Sequence, residues 1–378
     1  MAKILKKHDI DQDVLALALD RIRRAYDLHD HVAVSFSGGK DSTVVLNLAL
    51  QVAEERGALP LDVVFWDEEV IAPETAEYVA RVAADPRVAM RWLCLPVTHR
   101  NGCSIASPFW QPWAATDRST WVRDIPAGAI THLDGFTDQT IPAANRFLFR
   151  DGQTVAALLG IRADESMSRR QGVSMRREDN YIIADGSAAG VSLVKPIYDW
   201  RTVDVWTAPH LLGWDYNAAY DLMSMAGISP SQQRVAPPYG EQPMQSLWMW
   251  HVCWPELWDR MCDRVPGART AARYARTELY GAGGASKLNP PDGMTWQEAI
   301  TYYLARHPAE VRSFTAKRLQ GFLAAHRRAT RDPVPEREPH PASGLSWGYM
   351  LRVAMRGDLK GRENPLKFVA GVEHATRY

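Results

Sequence analysis

Short runs of β-branched and aromatic residues alternate along the first half of the chain with longer segments that carry apolar residues at helical spacing. The buried strands that this pattern predicts are His31–Phe36, Leu61–Trp66, Met90–Leu95, Thr154–Ile161 and Val191–Ile197. The helices predicted among them are Asp11–Leu28, a helix from Thr43 to a break at Gly57 and Pro60, and Pro73–Ala84. Strands and helices that alternate in this way are typical of a parallel sheet with right-handed crossovers. The sequence therefore predicts an α/β fold built on a doubly wound parallel sheet.

From Thr202 onward the apolar residues recur mainly at helical spacing. The helices predicted there are Val203–Leu211, Ala218–Met225, Leu247–Met261, Trp296–Tyr303 and Pro308–Ala325. Pro96–Arg150 has weak periodicity and many Pro, Trp, Asn and Asp residues, which favours an inserted lid or subdomain. The predicted regions are an N-terminal helix in 1–30, an α/β domain in 31–212, a helical domain in 213–330, and a linker with a basic segment in 331–378.

A short polar turn follows the first predicted strand. It consists of Ser37, Gly38, Gly39, Lys40, Asp41 and Ser42. Because the two glycines lack a Cβ, the backbone can turn sharply there and point successive N–H groups into one small volume. The N-terminus of the following helix adds partial positive charge at the same place, and Lys40 adds a full charge. The turn is therefore predicted to bind phosphate oxygens, with Lys40 and Asp41 as catalytic candidates.

This turn differs from the Walker P-loop, which requires a glycine where Val34 stands and Ser or Thr where Asp41 stands. The sequence SGGKDS after a strand instead resembles the PP-loop of the ATP pyrophosphatases and sulfonucleotide reductases.

A second candidate site follows the fourth predicted strand, in Gly160–Arg170. Arg162, the third catalytic candidate, stands at a strand end, where its guanidinium could bind a phosphate or sulfate through two N–H groups. Glu165 and Ser166 could cap the next helix, and Arg169 lies one turn further along the same face. A solvated surface helix would show a similar cluster of charges. Anion binding is favoured because this stretch stands one crossover from the phosphate-binding turn.

Asp67, Glu68 and Glu69 follow the second predicted strand directly. Together with Asp41 they could hold Mg²⁺ or a ribose, because Mg²⁺ in nucleotide enzymes is usually bound by one or two carboxylates and the substrate phosphates. The predicted metal ligands are Asp41, Asp67 and Glu68. Complementation of the positive end of the next helix is the alternative role for these acids.

Composition limits the classes of function. The chain has 44 basic and 44 acidic residues, so its overall charge attracts neither nucleic acid nor an anionic membrane. No run is long enough to span a bilayer, and the N-terminal stretch lacks the apolar core of a signal peptide, so a cytoplasmic protein without membrane contact is expected. Fourteen tryptophans could stack bases, but they are expected mainly to fill apolar cores.

Four cysteines are too few for a disulfide scaffold in a chain of this size. Cys94 and Cys103, like Cys253 and Cys262, are separated by eight residues. This spacing matches no common zinc or iron–sulfur arrangement, so neither cofactor is expected and the thiols are predicted to lie in the core.

Four motifs in order resemble those of the phosphoadenosine phosphosulfate (PAPS) reductase family. They are Ser37–Ser42, Asp67–Tyr78, Gly160–Arg169 and Lys195–Trp206. Further matches in Asn101–Pro126, Arg234–Gln245 and Arg264–Ala268 extend the likeness over nearly the whole chain. These resemble a subfamily of mobile elements and bacteriophages, similar to the IbrA-type co-activators, whose genes lie beside those of ParB/sulfiredoxin-like partners.

The resemblance implies a sheet like that of the adenine-nucleotide α-hydrolases, with Ser37–Ser42 on the nucleotide phosphates and Arg162 and Arg169 on the anionic end of the ligand. In one respect the chain departs from the family. Sulfonucleotide reductases carry a nucleophilic cysteine in a C-terminal Glu-Cys-Gly-type motif, whereas no cysteine follows Cys262 here. The nucleotide site therefore matches the family and the reductive thiol does not.

Three functions follow from this combination. The first is an enzyme that binds ATP with Mg²⁺, cleaves it to AMP and pyrophosphate, and adenylates an acceptor, which could be a nucleic acid. The second is a PAPS reductase that uses Cys253 or Cys262. The third is a nucleotide- or DNA-associated regulator, acting with a ParB/sulfiredoxin-like protein. It is suggested by ten basic against six acidic residues in Arg327–Tyr378.

Overall fold

The chain divides into two units, each assembled from separated stretches. In the computed structural model the first unit is Met1–Thr98 with Gln111–Pro237, and the second is His99–Trp110 with Pro238–Tyr378. The residues that the structure describes are 13–104, 106–107, 109–136, 141–149, 152–165, 169, 180–230, 232–239, 246–274, 288–307, 309–358 and 363–369.

The helices and strands are numbered here in chain order over both units. The strands are β1 His31–Phe36, β2 Leu61–Trp66, β3 Val88–Leu93, β4 His99–Arg100, β5 Phe109–Trp110, β6 Val155–Leu159, β7 Ile182–Ala184 and β8 Val191–Val194. The helices are α1 Val14–Leu28, α2 Lys40–Glu55, α3 Pro73–Ala83, α4 Ile141–Leu148, α5 Thr202–Leu212, α6 Ala219–Met225, α7 Leu247–Cys253, α8 Pro255–Arg264, α9 Ala268–Tyr274, α10 Trp296–Ala305, α11 Ala309–Ala329 and α12 Trp347–Arg356. None of the described helices combines the length and apolar character that a membrane span requires.

The first unit is built on a six-stranded sheet in the order β3-β2-β1-β6-β8-β7. Every neighbouring pair is parallel except β7 with β8. The chain runs outward from β1 in one direction through β2 and β3, and then returns to β6 on the other side. This confirms the predicted α/β fold, and it places the turn after β1 at the point where the strand order reverses.

The core of this unit lies between the sheet and the helices α1, α2 and α3. It contains Val34 and Phe36 of β1, Val63 of β2, and Leu48 and Val52 of α2, each less than 3% exposed. Four of the six residues of β1 are buried and the other two are half-buried, because a central parallel strand is covered on both faces. Burial of this kind fixes the end of β1, and therefore the start of the polar turn.

Several predicted element boundaries were wrong, and three of the differences have a clear physical reason. Helix α2 begins at Lys40 instead of Thr43, because extended Gly39 caps it. The third strand is Val88–Leu93, since its pairing with β2 begins at Val88. The helix predicted over Leu247–Met261 is two helices, α7 and α8, with the second beginning at Pro255.

The two units also differ from the predicted regions. The first unit continues past 212 to Pro237, and α1 packs within its core instead of forming a separate region. The stretch predicted as one inserted lid, Pro96–Arg150, is shared, since His99–Trp110 belongs to the second unit. The segment after 330 is also no simple linker, because α12 packs with α10 and α11 in the apolar core of the second unit.

Buried tryptophans and a buried asparagine also lie inside the second unit. Trp250, Trp254 and Trp258 are each no more than 5% exposed, in keeping with the predicted core role. Asn101 donates hydrogen bonds from Nδ2 to the carbonyl oxygens of Ser107 and Pro266, at 2.8 and 3.0 Å. These bonds join Asn101–Pro126 to Arg264–Ala268, two stretches that carry the family resemblance.

Candidate anion-binding site

The turn after β1 is shaped by two glycines that play different parts. Gly38 has φ +70°, and a Cβ there would lie 2.9 Å from Thr75 Cγ2. A Cβ on Gly39 would contact Ser37 Oγ and Tyr220 Oη at 3.3 Å and Val235 Cγ2 at 3.4 Å. Gly39 therefore leaves open a small space that two hydroxyl groups line, as a phosphate cradle requires.

Hydroxyl groups hold the turn against the first turn of α2. Ser42 Oγ and Thr43 Oγ1 both donate to the Gly39 carbonyl oxygen, at 2.9 and 3.0 Å. Ser37 Oγ lies 3.0 Å from Ser42 Oγ, and the Ser37 amide donates to the same Ser42 oxygen at 3.2 Å. The predicted hydroxyl residues are therefore together, and they fix the shape of the turn.

Two residues at the start of α6 hold the same turn in place, although no sequence motif indicated either of them. Asn217, 1% exposed, donates from Nδ2 to the Gly38 carbonyl oxygen at 2.9 Å and to Thr75 Oγ1 at 2.8 Å. Tyr220 Oη accepts a hydrogen bond from the Lys40 amide at 2.9 Å. Since that bond uses only the phenol oxygen, its hydroxyl hydrogen can be donated to a bound anion. Burial raises the pKa of Tyr220, so this hydrogen is retained.

Lys40, Asp41 and Arg162 form a connected charge group beside the turn. Lys40 Nζ lies 3.4 Å from Asp41 Oδ2 and donates to the Gln233 carbonyl oxygen at 3.3 Å. Arg162 is 2% exposed, and its Nε donates to Asp41 Oδ1 at 2.5 Å. Burial lowers the pKa of Lys40, and nearby Arg162 and Arg234 lower it further against the opposite effect of Asp41. A bound anion would raise the pKa of Lys40 again, so the group is suited to receive negative charge.

Glu165, Arg169 and Arg234 form an adjoining group. Glu165 Oε2 pairs with Arg169 and accepts from the Arg162 amide at 3.4 Å, while its Oε1 lies 4.0 Å from Arg234 Nη1. Burial, and then the charge of Arg234, lower the pKa of Arg169. Ser166, the other predicted residue of this stretch, lies outside the described residues.

Gly160 explains how the two groups come together. It follows β6, and Leu159 at the end of that strand pairs with Ser35 of β1. A Cβ on Gly160 would lie 2.8 Å from the Asp41 carbonyl carbon and from the Ser42 amide nitrogen. Only a glycine permits this approach of two backbones, which brings Arg162 to Asp41.

The acidic residues after β2 serve another purpose. Asp67 is 2% exposed, forms an ion pair with Arg123, and accepts from Trp92 Nε1 at 2.7 Å. Glu69 is fully buried and accepts from the amides of Trp113 and Val122 at 2.8 and 3.2 Å. These carboxylates thus anchor the segment that carries Trp113 to the end of β2.

The predicted metal ligands Asp41, Asp67 and Glu68 are not brought into one site. Among the described residues, no group of three or more His, Cys, Asp or Glu side chains could hold a metal ion. Asp41 and Asp67 are each paired with an arginine. The residues therefore do not fit a site in which the protein alone holds Mg²⁺.

Cys94, Cys103 and Cys262 do not resemble activated nucleophiles. Burial raises the pKa of Cys94 well above the usual range, and nearby Asp67 raises it further. Burial also raises the pKa of Cys103 to about 12 and that of Cys262 to about 11. A reductase thiol must be ionised near neutral pH, so these values disfavour Cys262 in the alternative reductase reaction.

The raised pKa values predict slow alkylation. At pH 8 Cys262 in the folded protein should react with iodoacetamide on the order of 100-fold more slowly than free cysteine, because so little thiolate is present. Mass spectrometry of timed samples would measure the rates, with urea-unfolded protein as the control. Labelling of native Cys262 at the unfolded rate would contradict the prediction.

The geometry agrees with a sequence comparison. The profile of the phosphoadenosine phosphosulfate reductase domain matches residues 31–223, just over half of the chain. The chain belongs to this family. Residues 227–328 match a domain of unknown function, DUF3440. The Escherichia coli (strain K12) protein YbdN, described as uncharacterized, is 29% identical over 363 residues, which cover 92% of this chain and 88% of YbdN. The membership in the mobile-element subfamily stays a prediction.

Solved structures of two kinds of enzyme are similar to part of this PAPS reductase family member. Candida glabrata FMN adenylyltransferase in complex with FMN and the ATP analog AMPCPP is 15% identical with a TM-score of 0.37, over 55% of this chain and 59% of that chain. The match therefore spans less than two thirds of the adenylyltransferase. The PAPS reductase of Candida auris, in a phosphate complex, is 17% identical with a TM-score of 0.31, over 54% of this chain and 84% of that chain.

Proposed function

We propose that the chain binds ATP at the turn Ser37–Ser42 and cleaves it between the α and β phosphates, transferring AMP to an acceptor. The observation that carries this proposal is the joined charge group at the N-terminus of α2. It contains four cationic side chains, Lys40, Arg162, Arg169 and Arg234, and three carboxylates, Asp41, Asp164 and Glu165. The excess positive charge faces a glycine-lined cradle, which suits a polyphosphate.

The reaction would place an acceptor oxygen in line with the bond that breaks. An anionic oxygen of the acceptor forms a bond to the α-phosphorus, and the bond from that phosphorus to the bridging oxygen breaks. Pyrophosphate then leaves with the electron pair, and AMP remains on the acceptor. Negative charge grows on the departing oxygens, where Lys40 and the helix N-terminus would stabilise it. Arg162 holds Asp41, and Asp41 in turn positions Lys40.

Replacing Lys40 by alanine tests the proposal. We expect AMP formation to fall by about 10²–10³-fold, because a donor directed at the developing charge is lost. The product assay would follow AMP and pyrophosphate from ATP by mass spectrometry, with and without added DNA. Lys317→Ala, at an exposed lysine of the second unit, is the matched control and should retain activity.

Circular dichroism would establish that Lys40→Ala folds. If wild-type protein yields neither AMP nor pyrophosphate with any acceptor offered, the proposed cleavage is wrong. Binding of ATP without turnover would instead favour the nucleotide-associated regulator.

A further inference from the structure

The segment after α6 lies against the phosphate-binding turn through two buried residues. Gln233 is 1% exposed and donates from Nε2 to Ser224 Oγ and to the Ile228 carbonyl oxygen, both at 2.9 Å. Its own carbonyl oxygen accepts from Lys40 Nζ. Val235, 6% exposed, packs beside Gly39. The residues on both sides of Arg234 therefore contact the turn, Gln233 through its carbonyl oxygen and Val235 through its side chain.

The side chain of Arg234 is much more exposed than those of its neighbours Gln233 and Val235. That side chain is 49% exposed, and its Nη1 lies 4.0 Å from Glu165 Oε1, a long distance for an ion pair. Arg169 is 41% exposed and pairs with the same carboxylate. By contrast, Lys40 and Arg162 are only 10% and 3% exposed. The cations thus form an inner buried pair around Asp41 and an outer accessible pair around Glu165.

An outer pair of this kind suits a second oxyanion. Arginine presents planar N–H groups that match the oxygens of phosphate and sulfate, and accessible side chains can turn towards a ligand. Among the residues that the structure describes, the Glu165 carboxylate pairs with both guanidinium groups, so these three side chains together carry a net positive charge. The first phosphate would be held by the turn and Lys40, and a further anionic group on the same molecule could reach the outer pair.

We propose that Arg234, with Arg169, forms an outer subsite for a second phosphate or sulfate group of the nucleotide bound at Ser37–Ser42. This inference rests on the proposed nucleotide binding, but it does not require ATP cleavage. Arg234 lies within the stretch that matches DUF3440, and it belongs to the part of that stretch that folds with the first unit. The inference therefore gives a ligand-binding role to a residue of that domain. The ligand class is an adenine nucleotide with at least two separate oxyanion groups.

Calorimetric titration with three nucleotides tests this inference. The ligands are ATP, adenosine 3′,5′-bisphosphate and AMP, which carries one phosphate. Arg234→Gln should weaken ATP or the 3′,5′-bisphosphate by about tenfold and change AMP affinity less than about threefold, because one charge-assisted contact is lost. If Arg234→Gln weakens the binding of ATP alone, the polyphosphate end occupies the outer subsite. If it weakens the binding of the bisphosphate alone, the 3′-phosphate occupies it.

Arg81→Gln is the matched control. Arg81 is also 49% exposed and ion-paired, with Asp215, but stands on α3 outside the charge group. Arg81→Gln should leave the affinities for all three nucleotides unchanged. Arg234→Lys should recover part of the affinity that Arg234→Gln loses. Unchanged binding by Arg234→Gln, or an equal loss for AMP, would overturn the outer subsite while leaving the Lys40 result intact. If the wild type binds none of the nucleotides, both proposals are wrong.

Discussion

Gly160→Val is expected to destabilise the first unit by about 3 kcal/mol and to weaken nucleotide binding by more than about 100-fold. The reason is steric, since even a Cβ would lie 2.8 Å from backbone atoms of Asp41 and Ser42, which cannot rotate away. The start of α2 must then move, and with it the amides and the Lys40 side chain. Urea unfolding and calorimetry with ATP would measure the two effects.

Gly186→Val provides the control for Gly160→Val. Gly186 also belongs to the first unit, but a Cβ there would meet no atom within 4 Å. This variant should retain nucleotide binding and lose much less stability. If Gly160→Val binds ATP as the wild type does, the close approach of β6 to the turn is not needed for the site.

Asp67→Ala is expected to lower the free energy of unfolding by about 3–5 kcal/mol, because it leaves the Arg123 guanidinium without its buried partner. It also removes the acceptor of the Trp92 indole N–H and of the Glu69 amide. Thermal unfolding with and without Mg²⁺ would measure this. The same loss is expected in both conditions, since the Asp67 carboxylate is already occupied by protein donors.

Glu77→Ala, at an exposed acid on α3, should be nearly neutral and serves as the control for Asp67→Ala. An effect of Mg²⁺ on stability that depends on Asp67 would support the predicted metal role. If Mg²⁺ alone raises the melting temperature of the wild type, and Asp67→Ala removes that increase, then Asp67 is a metal ligand.

The sequence predicted the parts of the site that are contiguous. A glycine pair, hydroxyl residues and a lysine between a strand and a helix define a phosphate-binding turn by local geometry alone. Arg162 and Arg169 were predicted from their positions after the fourth predicted strand, and the resemblance to the PAPS reductase family implied that they bind the anionic end of the ligand. Glu165 was predicted as a helix cap, but the structure shows it bonded to the Arg162 amide and paired with Arg169 and Arg234.

The sequence could not predict the residues that reach the turn from far along the chain. Asn217 and Tyr220 contact it across nearly 180 positions, and neither stands in a motif with a chemical meaning of its own. The metal role of Asp67 stays a prediction, and the sequence could not show the pairing of Asp67 with Arg123 for a similar reason. An acid at the end of a parallel strand suits Mg²⁺ and a buried arginine equally, and only the position of Arg123 distinguishes them.

By itself, then, the sequence determined the α/β class, the central strand and the phosphate-binding turn, because hydrophobic periodicity and glycine geometry are local properties. The tertiary structure alone decided which distant side chains complete the turn, which carboxylates are occupied by protein partners, and where the first unit ends. Those outcomes depend on packing between segments far apart in the chain, which short-range patterns do not encode.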